Sequence, residues 1–131
     1  MMYVDSPSLL ITDDDVDFRS TLRDVFEPRG FHTILAGDGE EALEIVEREP
    51  VHLILLDMHM PRLTGLEAIR RVKQFRPNMP CILISAMLDD EITKAAMDAH
   101  AYRVLSKPIG LRALTDVVSQ ALADVYHWQK H

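Results

Sequence analysis

His52-Leu-Ile-Leu-Leu-Asp57 is an unbroken apolar run that ends on a carboxylate. A strand with one wet face alternates apolar and polar residues. A run that is apolar throughout needs cover on both faces, as in a parallel sheet packed between helices. Ser8-Leu-Leu-Ile-Thr12 and Cys81-Ile-Leu-Ile-Ser85 repeat the pattern. Two further runs, His32-Thr-Ile-Leu-Ala36 and Tyr102-Arg-Val-Leu-Ser106, are more broken. The last of these alternates, which predicts an edge strand. Cys81 falls inside the fourth run and is expected there as a small buried hydrophobe rather than a reactive thiol.

Outward from these runs the apolar spacing becomes helical. Phe18, Leu22, Val25 and Phe26 share a face, and Ala42, Leu43, Ile45 and Val46 do so more loosely. Ile92, Ala95, Ala96 and Ala99 form a narrow stripe of small residues. Leu111, Leu114, Val118, Ala121, Leu122 and Val125 form the cleanest stripe in the chain. Asp38 with Glu41, and Thr64 with Glu67, have the spacing of a capping box at a helix start. Gly30 suits a helix C-terminal turn before the second run. Strand and helix therefore alternate through the chain, which predicts an α/β fold with a doubly wound parallel sheet. No stretch reads as a linker or a repeat.

Composition agrees. The 131 residues suit one domain, with 47% apolar and 27% charged residues. Lys and Arg number 14 against 21 Asp and Glu, a net charge of −7, which disfavours direct nucleic-acid binding. No apolar run approaches the roughly 18 residues of a membrane helix, and the first residues lack the blocks of a signal peptide. One cysteine excludes an internal disulfide and argues for a reducing compartment, so a cytoplasmic location and no membrane contact are expected.

A doubly wound sheet places its site at the carboxyl ends of the strands. The residues there are Asp13-Asp14-Asp15 after the first strand, Asp57 at the end of the third, Ser85 at the end of the fourth and Lys107-Pro108 after the fifth. Asp15 is expected to cap the first helix, leaving Asp13 and Asp14 to face the rim. Carboxylates gathered in one place repel one another unless a cation compensates them, and Mg2+ is the natural hard, oxygen-seeking choice. A carboxylate nucleophile, a metal, an ammonium and a hydroxyl together suit phosphoryl transfer. Taken singly, each of these residues also has an ordinary reading as a cap, a loop acid, a strand-end hydroxyl or a surface lysine.

From about Leu9 to Leu122 the chain resembles the response regulator receiver domain of two-component signalling, of the chemotaxis-regulator type. The resemblance rests on Leu9-Leu-Ile-Thr-Asp-Asp-Asp15, Leu53-Ile-Leu-Leu-Asp-Met-His-Met-Pro61 with Gly65, Ile84-Ser-Ala86 and Leu105-Ser-Lys-Pro108. It implies a (βα)5 flavodoxin-like fold with strand order 2-1-3-4-5, a single receiver domain over residues 1–131 and a core over about residues 8–125. It also implies that Asp57 is the phosphoacceptor, and that Asp13, Asp14, Asp57 and the His59 backbone carbonyl hold Mg2+. Ser85 would hydrogen-bond a phosphoryl oxygen, Lys107 would pair with the phosphoryl group, and Lys107-Pro108 would be a cis peptide. Pro61 and Gly65 would shape the loop after the phosphoacceptor. The implied donor is a histidine kinase or histidine phosphotransfer protein. The implied output is a changed surface around the fourth helix, fifth strand and fifth helix, and the chemistry is self-catalysed rather than that of an enzyme acting on an external substrate.

Some positions depart from the family pattern. Val104 stands where relatives usually carry an aromatic residue, and a β-branched aliphatic has little rotamer range for switching. Tyr102, two residues earlier, is expected to point the same way and to substitute in part, unless it is structural and switching relies on loop and helix shifts. His100 stands where relatives usually have glycine. In relatives the positions of His59 and Met87 flank the path of the hydrolytic water; apolar Met87 cannot position it, whereas the His59 imidazole could, and a fairly long-lived phosphoryl group is expected.

The rival readings fare worse. A calcium loop over Asp13, Asp15, Asp17 and Asp24 has Phe18 where it needs glycine. A stand-alone aspartyl phosphatase of the haloacid dehalogenase type needs a second acid where this chain has His59. A receiver-like adaptor that is never phosphorylated stays open, since the switch positions are unusual. The six histidines show no short ligand spacing except His127 and His131 at the terminus. Without a second domain the chain must act through a partner or a dimer, unless it belongs to a longer protein. Trp128 has three readings: cover for the last helix, the start of a linker, or a partner contact.

Overall fold

The computed structural model describes residues 6–128. Strands β1 (Ser8–Thr12), β2 (His32–Ala36), β3 (Leu53–Asp57), β4 (Cys81–Ser85) and β5 (Arg103–Ser106) alternate with helices α1 (Val16–Phe26), α2 (Gly39–Arg48), α3 (Gly65–Phe75), α4 (Asp90–Asp98) and α5 (Leu111–Tyr126). The strands are all parallel, in the order β2-β1-β3-β4-β5. The expected topology is therefore the observed one, and β5 lies at an edge.

Alternation along each strand divides the core into two layers. Leu10, Ile54, Leu56, Cys81 and Leu83 face Ala42, Ile45 and Val46 of α2, Ile69 and Val72 of α3, and Ala96 of α4. Leu9, Ile11, Leu53, Leu55, Ile82 and Ile84 face Leu22 and Phe26 of α1 and Leu114, Val118 and Leu122 of α5. The residues of β1, β3 and β4 are buried throughout, which is why these runs tolerate no polar interruption before their ends. Cys81 is fully buried, its thiol is pushed up to about 12 by desolvation, and it acts as packing.

The helix starts follow their caps. Asp15 accepts from the backbone N–H groups of Asp17 and Phe18, so it caps α1 as its position implied. Thr64 and Glu67 form a complete capping box. At α2 only half of the expected box forms. Asp38 accepts from the Glu41 N–H, but the Glu41 carboxylate turns to the Gly37 N–H instead. Asp89 caps α4 by accepting from the Ile92 N–H, an aspartate three residues ahead of the first apolar residue of the α4 stripe. Gly30 takes a left-handed φ of 94° after a short 3-10 turn that follows α1.

Two packing expectations need correction. Leu111 opens the α5 stripe but lies exposed at the helix start, where the core no longer reaches. Tyr102 does not share a face with Val104. β5 begins at Arg103, so Tyr102 lies before the strand and two-residue alternation does not apply to it. Val104 packs on the α2–α3–α4 layer, and Tyr102 packs on the α1–α5 layer. Its hydroxyl donates to Asp124 of α5 at 2.6 Å.

Trp128 is buried against Phe31, with ring centroids 5.2 Å apart, and closes the α1–α5 layer below the C-terminal turn of α5. Of its three readings, the structure supports cover for the last helix. His131, the second member of the terminal histidine pair, lies outside the described residues. Among the described residues no helix is long and apolar enough to cross a membrane.

Candidate functional site

The carboxyl ends of β1, β3, β4 and β5 converge on one rim. Asp13 directly follows β1, and its N–H donates to the Ala36 carbonyl at 3.1 Å, which extends the pairing with β2 by one residue. Its carbonyl accepts from Arg19 Nη1 at 2.7 Å, and its Oδ1 accepts from the Asp15 N–H at 2.9 Å. These three bonds fix the carboxylate while burying it to 1% exposure. Asp57 ends β3 and is 6% exposed. Asp14 is solvent-exposed beside them.

Asp13, Asp14 and Asp57 each offer a carboxylate oxygen, and these oxygens lie within 4.8 Å of one another. All the donors are hard oxygens, one of them exposed and two buried, which fits a divalent cation that retains part of its water shell. The opposing charge within the protein comes from Lys107. The Lys107 N–H donates to the Ser85 carbonyl at 2.9 Å, carrying the pairing of β5 with β4 past the strand end. From there Nζ lies 3.1 Å from Asp13 Oδ2 and 3.7 Å from Asp57 Oδ1, above the Phe18 ring at 4.5 Å from its centroid. The Lys107-Pro108 peptide is cis.

Electrostatics follow this geometry. Burial raises the Asp57 carboxyl above the usual aspartate range, the charge of Asp13 adds to the effect, and Lys107 opposes it. Burial works against the charge on Lys107, but its hydrogen bond and attraction to Asp13, and then Asp57, outweigh that and raise its pKa. The site thus holds more negative charge than one ammonium balances, and burial makes the ionised form of Asp57 costly.

The loop after β3 is shaped by contact as well as by sequence. The Gly65 N–H donates to the Met58 carbonyl at 3.0 Å, and a Cβ at Gly65 would collide with the Asp57 carbonyl oxygen and reach within 2.7 Å of Leu83. Only glycine allows α3 to begin so close to the acidic residue. Arg62 in this loop takes a left-handed φ of 68° and pairs with Asp38 at 2.7 Å.

Ser85 is fully buried at the end of β4. Its Oγ accepts from the Met87 N–H at 3.1 Å and shares a 3.2 Å hydrogen bond with His59 Nε2, the donor depending on the imidazole tautomer. The spacing of residues gave no hint of this contact between two loops. Met87 is 74% exposed, and its backbone rather than its thioether is tied to the site. His100 has a φ of 67°, so replacing the usual glycine does not change the turn: histidine takes the left-handed conformation with a side chain attached.

Comparison with known proteins agrees with this geometry. The model of the family described as response regulator receiver domain matches residues 9–119. Response regulator RR06 of Streptococcus pneumoniae is 30% identical over 119 residues, 91% of this chain and 54% of that protein. The chain therefore spans about half the length of that relative. Sporulation initiation phosphotransferase F of Bacillus subtilis is 32% identical over 114 residues, 87% of this chain and 92% of that one. A CheY-like receiver domain structure from Methanospirillum hungatei superposes with a TM-score of 0.90 at 24% identity, over 93% of this chain and 98% of that one, a likeness that bears on the fold. The acidic rim, the lysine and these likenesses agree, and the chain belongs to the response regulator receiver domain family.

Proposed function

We propose that Asp57 is a phosphoacceptor and that its phosphorylation switches a protein-interaction surface. The reading rests on one observation above the rest: Lys107 Nζ lies within 4 Å of both Asp13 and Asp57, with Asp14 completing the acidic triangle. Membership of the family implies a histidine kinase or a histidine phosphotransfer protein as donor. In the transfer, an Asp57 carboxylate oxygen attacks phosphorus, the donor's P–N bond breaks with its electron pair going to the imidazole, and an acyl phosphate forms on Asp57. Lys107 pairs with the phosphoryl oxygens, and the Ser85 hydroxyl donates to one of them. Asp13, Asp14, Asp57 and the His59 carbonyl would hold Mg2+, which when bound neutralises charge on the phosphoryl oxygens. The raised proton affinity of Asp57 marks a carboxylate that gains from sharing its charge with a metal.

The output surface in this reading is the α4–β5–α5 face, which already exposes Met97. Residues 1–131 are read as one receiver unit that acts through a partner in the cytoplasm. With Val104 small and the Tyr102 hydroxyl held by Asp124, switching relies on loop and helix shifts rather than on an aromatic side chain. Incubation with acetyl phosphate and Mg2+, followed by mass analysis of peptides, is the test. One phosphoryl group on Asp57, absent in Asp57→Asn and after chelation, is the expected result. An unmodified protein would leave the unphosphorylated adaptor as the better description.

A further inference from the structure

We infer that His59 is a positioning residue that holds the Ser85 hydroxyl out of the phosphoryl-binding position, so that phosphoryl capture must first break a His59–Ser85 latch. The inference rests on the phosphoacceptor reading of Asp57. Ser85 Oγ has two partners, His59 Nε2 at 3.2 Å and the Met87 N–H at 3.1 Å, and neither is the Asp57 carboxylate. A hydroxyl has one proton and two lone pairs, and Ser85 is fully buried beneath His59, which lies at the surface. Turning Oγ toward a group on Asp57 exchanges both bonds for new ones. The latch also joins two separate segments: His59 lies in the loop after β3, and Ser85 closes β4, 26 residues later. While it is closed, the loop before α3 and the loop before α4 move as one body. Opening it frees the segment leading into α4, on the proposed output face. Ser85 is thereby set in competition between a resident imidazole and an incoming phosphoryl oxygen.

The test uses beryllofluoride with Mg2+, an acyl phosphate mimic, titrated into the full chain and followed by fluorine NMR. Removing the latch in His59→Ala removes a cost of activation, so the mimic binds about fivefold more tightly, the equivalent of one ordinary hydrogen bond. His59→Gln places an amide near the former Nε2 position and restores affinity to within about twofold of wild type. In a Ser85→Ala background, His59→Ala has no further effect. An unchanged affinity in His59→Ala overturns the latch, as does a gain that persists without Ser85, which would mean that the imidazole merely obstructs entry. Should Ser85→Ala abolish binding of the mimic, the Ser85 Cβ resonance of the unliganded protein decides. It shifts in His59→Ala and returns in His59→Gln if the latch exists, and stays fixed if it does not. A wild-type protein that fails to take the mimic sinks the phosphoacceptor reading, while the Cβ resonance still tests the latch.

Discussion

Asp57 is costly to the fold that presents it. Burial and the neighbouring charge of Asp13 both disfavour its ionised form, and Lys107 at 3.7 Å offsets only part of the penalty. In metal-free buffer at neutral pH, Asp57→Asn should therefore raise stability by about 1 kcal/mol, read as a higher urea midpoint. The sign follows from linkage. The folded protein holds a proton on Asp57 more tightly than the unfolded chain, so the penalty is full above the raised pKa and fades as pH falls toward the ordinary value of 3.8. The gap between wild type and Asp57→Asn should narrow with it. Adding Mg2+ should close the gap from the other side, because a ligand that binds only the folded wild-type site stabilises it by mass action. An Asp57→Asn protein less stable than wild type without metal would mean that Lys107 overcompensates the site. This strain was readable in advance as a crowd of strand-end acids. The His59–Ser85 contact was not, because it depends on how two loops fold over the rim rather than on any spacing.

The turn between α4 and β5 shows what local pattern conveys. α4 ends in paired hydrogen bonds, from the Ala101 N–H to the Ala96 carbonyl and from the His100 N–H to the Met97 carbonyl, each at 3.0 Å. This is the Schellman arrangement, with Ala101 and Ala96 both buried on its apolar side. It needs a left-handed residue between them, and His100 supplies it at φ 67°. A side chain costs about 1–2 kcal/mol there, while glycine loses roughly 0.5–1 kcal/mol more backbone entropy on folding. His100→Gly should therefore stabilise the protein by about 0.5–1 kcal/mol, seen as an increase in Tm, and His100→Val should do the opposite. A stabilising His100→Val would show that the turn has another conformation available. Gly65→Ala should be far more damaging than either, since its Cβ meets backbone rather than solvent. The strand after this turn starts too late for two-residue alternation to reach Tyr102. Alternation tells which residues share a face only inside a strand, and Tyr102 precedes β5 by one position. Its hydroxyl finds Asp124, and the side chain follows it onto the α5 side.

Across the molecule the sheet has two unlike poles. At the carboxyl ends lie the charges, and at the amino ends lies a plug of aromatic and histidine side chains. The first pole was legible because it collects at or just past the ends of four of the five apolar runs. The second was not, since Phe31, His52, Tyr126 and Trp128 are scattered in sequence and meet only after the layers close. Tyr126 donates its hydroxyl to the His52 carbonyl at 2.7 Å and stands edge-on to the imidazole, with centroids 5.3 Å apart. His52 Nδ1 in turn accepts from the Ser8 N–H at 2.9 Å at the start of β1. That bond requires Nδ1 to be unprotonated, and burial holds the imidazole below its ordinary value of 6.5. Below that value the unfolded chain binds the proton more readily than the folded one. The contribution of His52 is thus complete above the unfolded pKa and is lost as pH falls through it toward the folded value. The urea midpoint of the wild type should drop from about pH 7 to about pH 5.5. In His52→Asn a carbonyl oxygen can take over the acceptor role without titrating, so the drop should be shallower. Equal slopes for the two proteins would assign the acid sensitivity to other histidines. A shallower slope would show that the end of the sheet opposite the acidic rim depends on one neutral imidazole to join the starts of β1 and β3 to the last turn of α5.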